Sequence, residues 1–164
     1  MIVVLWGVSG CGKTTVGKQL AVALDWPFYD ADDFHPATNI QKMRQGVPLT
    51  DADRYPWLDA LRQLLVDINA KGSHAVLACS ALKRSYRQRL GIDQDAIYGV
   101  HLAGDQPLVA ARLAQRNHAF MSNQLLDSQF AALEPDADGL RLDIGLTPEA
   151  LCFEIMQRLD LAAS

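Results

Sequence analysis

The chain has no apolar stretch of membrane-spanning length, and its N-terminal apolar run has no positively charged lead. A spanning helix and a secretory leader are therefore not expected. Its three cysteines, Cys11, Cys79 and Cys152, are odd in number and show no C-x-x-C spacing, which indicates neither a disulfide framework nor a zinc site. Basic residues are not in excess either. Fifteen Lys and Arg against 19 Asp and Glu give a net charge of −4, so a general attraction to nucleic acid or an anionic membrane has no support. An anionic ligand must be held by a local cluster. The chain lacks internal repeats and low-complexity segments, and it lacks the N-K-x-D motif that a guanine-nucleotide switch needs. Asp136-Ala-Asp-Gly139 fits D-x-x-G, but it follows Glu134-Pro135 in a turn-like segment and reads as coincidence. What remains is 164 residues, 49% of them hydrophobic, enough for one good core and too few for two. We expect a cytoplasmic protein with one domain over residues 1–164, without nucleic-acid or membrane partners.

Residues 7–14, Gly7-Val8-Ser9-Gly10-Cys11-Gly12-Lys13-Thr14, meet G-x-x-x-x-G-K-[ST]. They follow the apolar run Ile2–Trp6 and precede a helical pattern over Thr14–Leu24, the strand–loop–helix context that a phosphate-binding loop requires. Gly7, Gly10 and Gly12 allow successive backbone N–H groups to turn inward around a phosphate, where the helix N-terminus adds a favourable dipole. Lys13 can then reach the β- and γ-phosphate oxygens, and the Thr14 hydroxyl can supply a ligand to the magnesium that accompanies ATP or GTP. Cys11 reads either as a thiol activated by the loop or as inert small packing, with packing favoured.

Further along, Pro27-Phe28-Tyr29 leads as a short strand into the acidic loop Asp30–Asp33. Residues 37–47 suit a short helix. A longer one, from Asp53 or Tyr55 to Asn69, carries Trp57, Leu58, Leu61, Leu64, Leu65 and Ile68 at helical spacing. His74–Cys79, Ile97–Leu102 and Leu140–Ile144 read as strands, Ala81–Leu90 as a basic helix, and another helix begins near Pro107. Thr147-Pro148-Glu149 supplies a cap, a first-turn proline and a first-turn acid for the last helix. Strands alternating with helices predict an α/β fold with a five-stranded parallel sheet covered on both faces. The polar piece Asn117–Ser128 is a candidate lid.

The stretch from Asp30 to Leu58 meets D-x-D-x-x-H-P-x-x-N-I-x-K-M-x-x-G-x-P-L-x-D-x-D-R-x-P-W-L, and Cys79–Arg87 meets C-S-A-L-K-x-x-Y-R. Leu125-Leu126, Ser128-Gln129-Phe130 and Leu133-Glu134-Pro135 form a third block. These segments closely resemble the gluconokinases of the small P-loop kinase type, in order and over nearly the whole chain. The resemblance implies the P-loop fold of adenylate and shikimate kinases, with a helical lid over about residues 112–130. It implies magnesium- and ATP-dependent phosphorylation of the 6-hydroxyl of D-gluconate to 6-phosphogluconate. That reaction belongs to sugar-acid catabolism feeding the pentose phosphate or Entner–Doudoroff route. It also implies a homodimer. One departure stands in the lid: where the family runs R-x-x-H-F, this chain has Arg116-Asn117-His118-Ala119-Phe120, so Ala119 takes the histidine position.

Phosphoryl transfer asks for positioning and charge stabilisation more than for covalent chemistry. By analogy with related kinases, Asp30 supports the metal shell and Asp32 orients the sugar hydroxyl or accepts its proton. Strand alternation would put both on one side of an extended segment. A sugar acid needs a cation and polar groups, for which residues 30–58 and 79–87 offer His35, Arg54, Lys83, Arg84 and Arg87. The alternatives are a structural hydrogen bond for His35, an exposed ion pair for Arg54, and solvation for the rest. Lys83 and Arg87, at i,i+4, would share a helix face, with Arg84 displaced. Arg112 and Arg116 also share a face at the lid entrance. Arg116 matches the lid arginine that stabilises the moving phosphoryl, and Arg112 is read as packing beside the adenine or on the surface.

Overall fold

Five consecutive apolar residues satisfy themselves only where both faces of a strand are covered, and Ile2–Trp6 (β1) lies mid-sheet, at 0–3% exposure throughout. The structure is a computed structural model describing residues 1–115, 123–136 and 139–162. From β1 the chain passes through α1 (Lys13–Leu24), β2 (Phe28–Asp30), a 3-10 turn (Ala31–Phe34), α2 (Ala37–Arg44) and α3 (Asp51–Ala70). There follow β3 (Ala75–Cys79), α4 (Arg84–Leu90), β4 (Ile97–Ala103), α5 (Gln106–Gln115), α6 (Asn123–Ala132), β5 (Leu140–Asp143) and α7 (Pro148–Arg158). The five strands are parallel in the order β2-β3-β1-β4-β5, the sheet that the alternation predicts.

Alternation along β1 builds two cores. Val3 and Leu5 pack with Val16, Leu20, Ala21 and Leu24 of α1 and with Leu151, Cys152 and Ile155 of α7. Ile2, Val4 and Trp6 pack on the other face with Trp57, Leu58, Leu61 and Leu65 of α3 and Tyr86 and Leu90 of α4. Each helix that covers the sheet contributes one apolar stripe. Among the described residues, no helix is long and apolar enough to cross a membrane.

Helix ends follow their caps. Thr147 accepts from the Ala150 N–H at 3.2 Å, with Pro148 in the first turn, as the sequence predicts. Helix α3 begins at Asp51, earlier than Asp53 or Tyr55. Its capping box has the Thr50 side chain accepting from the Asp53 N–H and the Asp53 carboxylate accepting from the Thr50 N–H. Pro56 lies inside this helix, lacking only the N–H that Ala52 would otherwise receive. The described end of the polar segment, from Asn123, is also helical.

The sheet order reverses around β1: the chain leaves β1 towards β2 and leaves β3 towards β4. A crevice opens at such a switch point, beyond the carboxyl ends of the strands. Here it lies above Trp6 and Cys79, which are in register at the ends of β1 and β3.

Candidate active site

The phosphate loop leaves β1 through Gly7, whose N–H donates to the Ser80 carbonyl at 3.2 Å. Gly7 has φ +147°, and a Cβ there would lie 2.7 Å from the Leu102 carbonyl; Gly10, at φ +80°, would put one 2.7 Å from Leu113. Both conformation and space demand glycine at these two positions. Gly12 caps α1 in the left-handed region, and no side chain caps the helix, so its N-terminus remains available to an anion. Lys13 Nζ folds over the loop, donating to the Gly7 and Val8 carbonyls at 3.0 and 2.9 Å. Val8 and Cys11 are buried beneath it. Their side chains are packing, and only their backbone can face a phosphate.

Ser9, Gly10, Gly12, Lys13 and Thr14 share a crevice of about 150 Å³ with Asp30, Asp32, Ala78, Cys79 and Ser80. The Thr14 hydroxyl donates to Asp30 Oδ2 at 3.0 Å, while Asp30 Oδ1 accepts from the Asp32 N–H at 3.1 Å. Asp30 thereby caps the 3-10 turn. Asp32 sits in that turn rather than on an extended strand, which corrects the alternation argument, yet both carboxylates still line the crevice. The Asp32 side chain opens towards solvent, but the surrounding walls disfavour its charged form. With the neighbouring Asp30 charge they hold its carboxyl above the usual range, against the pull of Lys13.

Beyond Asp32 the site continues through His35. The ring stacks on Trp57 with centroids 4.2 Å apart, and the Asn39 amide lies 3.3 Å from Nδ1. That amide also donates to the Asp53 carbonyl, so Nδ1 accepts from it and Nε2 carries the proton, 3.9 Å from Asp32 Oδ1. Burial, reinforced by Arg54, lowers the His35 pKa to about 4. At neutral pH it is an uncharged ring held by the Trp57 stack and the Asn39 amide.

A second cavity of about 310 Å³ is lined by Leu49, Thr50, Asp51, Arg54, Lys83 and Tyr86, with Ser128 and Ala132 from α6. Lys83 Nζ donates to Asp51 Oδ1 at 2.9 Å, and the Tyr86 hydroxyl donates to the same oxygen. The Tyr86 and Lys83 bonds hold the Asp51 carboxyl below its usual range. Arg54 lies over the Tyr86 ring, 5.6 Å from its centroid. Two cations, a carboxylate, a phenol and hydroxyls around one modest space suit a small polyhydroxylated anion better than an apolar ligand.

A family model for shikimate kinase matches residues 9–132. A probable gluconokinase from Xenopus tropicalis is 48% identical, with 82% of this chain and 79% of the relative covered. A gluconokinase from Gluconobacter oxydans is also 48% identical, over 82% and 76% of the two chains. The solved structure of a gluconokinase from Sinorhizobium meliloti superposes with a TM-score of 0.85 at 37% identity, covering 96% of this chain and 90% of the other. The chain belongs to the gluconokinase family. A P-loop kinase of this kind takes a nucleotide as phosphoryl donor.

Within this gluconokinase framework Arg87 departs from its expected place. It does not line the second cavity; it is 3% exposed and buried beside Trp6, 4.0 Å from the ring centroid. Nε and Nη2 bind Asp136 at 2.8 and 3.0 Å, Nη1 binds the Ala81 and Leu82 carbonyls at 2.8 and 2.9 Å, and Nη2 also donates to Glu134 O. All five donors are used. Burial works against it, yet the bonds from Arg87 keep the Asp136 carboxyl below its usual range. Ala81, one of the bound carbonyls, has φ +39°, a strained position for a residue with a Cβ. Arg87 holds that loop in place.

The shared-face argument fails because Lys83 is the residue before α4, in extended conformation, so it and Arg87 are not a helical i,i+4 pair. Arg87→Met is expected to lower unfolding stability by about 1.5–3 kcal/mol, read from urea denaturation, without a selective rise in KM for the acceptor. Arg112 donates to the Ile144 carbonyl after β5. Arg116, His118 and Ala119 lie outside the described residues.

Sequence reasoning passed over Asp51, Tyr86 and Gln129. All three stood in the quoted motifs, but a search for cations to hold an anion ignored the acid and phenol that orient them. Gln129 carries no charge and stands in a helix far along the chain. Its side chain nonetheless meets Ser9 of the phosphate loop.

Proposed function

We propose that this protein transfers the γ-phosphoryl group of ATP to the 6-hydroxyl of D-gluconate. The observation that carries the reading is Asp32 in the wall of the phosphate crevice, with His35 3.9 Å away and His35 in turn within the electrostatic reach of Arg54, which lines the cation-bearing cavity. Family membership supplies the acceptor. Lys13 is assigned to charge on the transferring phosphoryl. Asp32 is assigned to orient the acceptor hydroxyl and take its proton, and Arg54 and Lys83 to bind the gluconate carboxylate. His35 supports the acceptor as a neutral hydrogen-bonding ring. Arg116 is assigned to the transferring phosphoryl on its motif position alone.

Magnesium fits the donors present. A hydroxyl and a carboxylate oxygen meet at Thr14 and Asp30, and no cluster of three or more ligating His, Cys, Asp or Glu occurs among the described residues. This suits an ion that takes few protein oxygens and completes its shell with phosphate and water. Thr14 and, through water, Asp30 would hold it, and its charge would neutralise the phosphate oxygens. We assign the protein to the cytoplasm, where ATP and magnesium are supplied and the three free, buried cysteines stay reduced.

ADP release with Mg-ATP, compared for D-gluconate, shikimate and no acceptor, tests the reading, with the product identified by mass. Turnover confined to gluconate with a monophosphate product is the expected result. Equal turnover with shikimate, or none with gluconate, would overturn it. Arg54→Ala should raise KM for gluconate by about 10–100-fold, the loss of a charge-assisted hydrogen bond, and leave KM for ATP nearly unchanged. A rise in both together would remove Arg54 from the acceptor site.

A further inference from the structure

Helix α6 presents neighbouring residues to both halves of the site. Ser128 and Ala132, four apart and so on one face, line the acceptor cavity. The next residue, Gln129, turns to the phosphate loop instead. Its Oε1 accepts from the Ser9 backbone N–H at 2.7 Å, and its Nε2 donates to Ser9 Oγ at 3.0 Å. One side chain thus fixes both polar groups that Ser9 turns towards it, 120 residues away in sequence.

The end of the same helix is anchored on the acceptor side. The Glu134 N–H donates to the Leu82 carbonyl at 2.9 Å, and Arg87 holds the Glu134 carbonyl. Leu126 is buried and Phe130 partly buried in the core beneath α1, which keeps the helix a stiff piece rather than a flexible strap.

We propose that Gln129 is a positioning residue that couples acceptor binding to nucleotide binding, acting through Ser9 on the shape of the phosphate loop. An acceptor in the cavity contacts Ser128 and restrains α6. A restrained α6 holds Gln129, and Gln129 holds the loop in the conformation that cradles phosphate. By linkage, a nucleotide in the loop tightens acceptor binding by the same factor. Gln129 does not reach the reacting atoms, so its effect falls on how the two substrates assist each other. The identity of the acceptor rests on the proposed kinase reading; the Gln129–Ser9 bonds do not.

Calorimetric titration with magnesium and a non-hydrolysable ATP analogue, with and without saturating D-gluconate, tests the proposal. The wild-type protein should bind the analogue at least about fivefold tighter in the presence of gluconate. Gln129→Ala should lose that enhancement while its thermal transition stays cooperative. Gln129→Glu keeps an acceptor for the Ser9 N–H, and Ser9 can turn its hydroxyl to donate. It should retain the enhancement but bind the analogue more weakly in both conditions, because it adds negative charge beside the phosphates. Wild-type coupling persisting in Gln129→Ala, or absent from a wild-type protein that binds gluconate, overturns the proposal. If gluconate alone and gluconate with analogue both fail to bind, the acceptor assignment falls separately. The tie is then judged by analogue affinity: a loss of about fivefold or more in Gln129→Ala sustains it, and an unchanged value overturns it.

Discussion

Asp32→Asn is expected to lower kcat by about 10²–10⁴-fold while nucleotide affinity stays nearly constant. The substitution is isosteric and leaves the backbone of the 3-10 turn intact, including the Asp32 N–H that donates to Asp30. It removes only the capacity to accept the proton of the acceptor hydroxyl. Binding of the phosphates depends on the loop, Lys13 and the metal ligands, none of which changes. A kcat within a few-fold of wild type would take Asp32 out of the mechanism.

The pH profile gives an independent reading of the same residue. Crevice walls and the Asp30 charge raise the Asp32 carboxyl above the usual range, so the ionised base is lost sooner as pH falls. The acid limb of kcat/KM should lie above that of an ordinary aspartate and disappear in Asp32→Asn. Stability should move the opposite way. A folded-state value raised above that of the unfolded chain means that ionised Asp32 opposes folding. The penalty vanishes as pH falls through the raised value. Asp32→Asn should therefore be no less stable than wild type at neutral pH, an instance of a site that trades stability for activity.

Trp57→Ala should destabilise the fold by about 3–5 kcal/mol, a large part of the total for a domain of this size. Trp57 is fully buried in the core between α3 and the sheet, and its Nε1–H donates to the Ala31 carbonyl at 2.7 Å. Truncation leaves a cavity and a buried carbonyl without its partner. It also removes the ring against which His35 stacks, so the surviving folded enzyme should show a raised KM for the acceptor. Trp57→Phe separates the two effects, since it keeps an aromatic wall for His35 but loses the indole N–H. A loss of about 1–3 kcal/mol is expected there, read by chemical denaturation. Equal stability of Trp57→Phe and wild type would mean that the bond to Ala31 contributes nothing net.

The fold could be read from the sequence where local rules agree with tertiary demand. The apolar run before Gly7, the glycine spacing of the loop and the Thr147-Pro148 cap each name a structure that few alternatives satisfy. Reading failed where a residue's role depends on partners remote in sequence. Arg87 and Lys83 have the same local description, but Asp136 and the strained Ala81 turn claim one, and Asp51 claims the other. Asp32 was misplaced because Asp30 caps a 3-10 turn, ending the extended geometry on which alternation depends. Gln129 could not be found by periodicity, since a helix pattern tells which face is apolar but says nothing of what a polar side chain meets.

The central place of β1 also bears on how the molecule is made. Its partners are residues 75–79 on one side and 97–101 on the other, so during synthesis this strand waits for a long stretch of later chain before either neighbour exists. Contacts so distant in sequence carry a high loop-closure cost and slow the search. Until then the apolar segment Ile2–Trp6 is unpaired, an adhesive stretch that a chaperone or another nascent chain can capture. The phosphate loop that follows this strand becomes a shaped site only once β3 and β4 have flanked β1, so nucleotide binding during synthesis should report the late closure of the sheet.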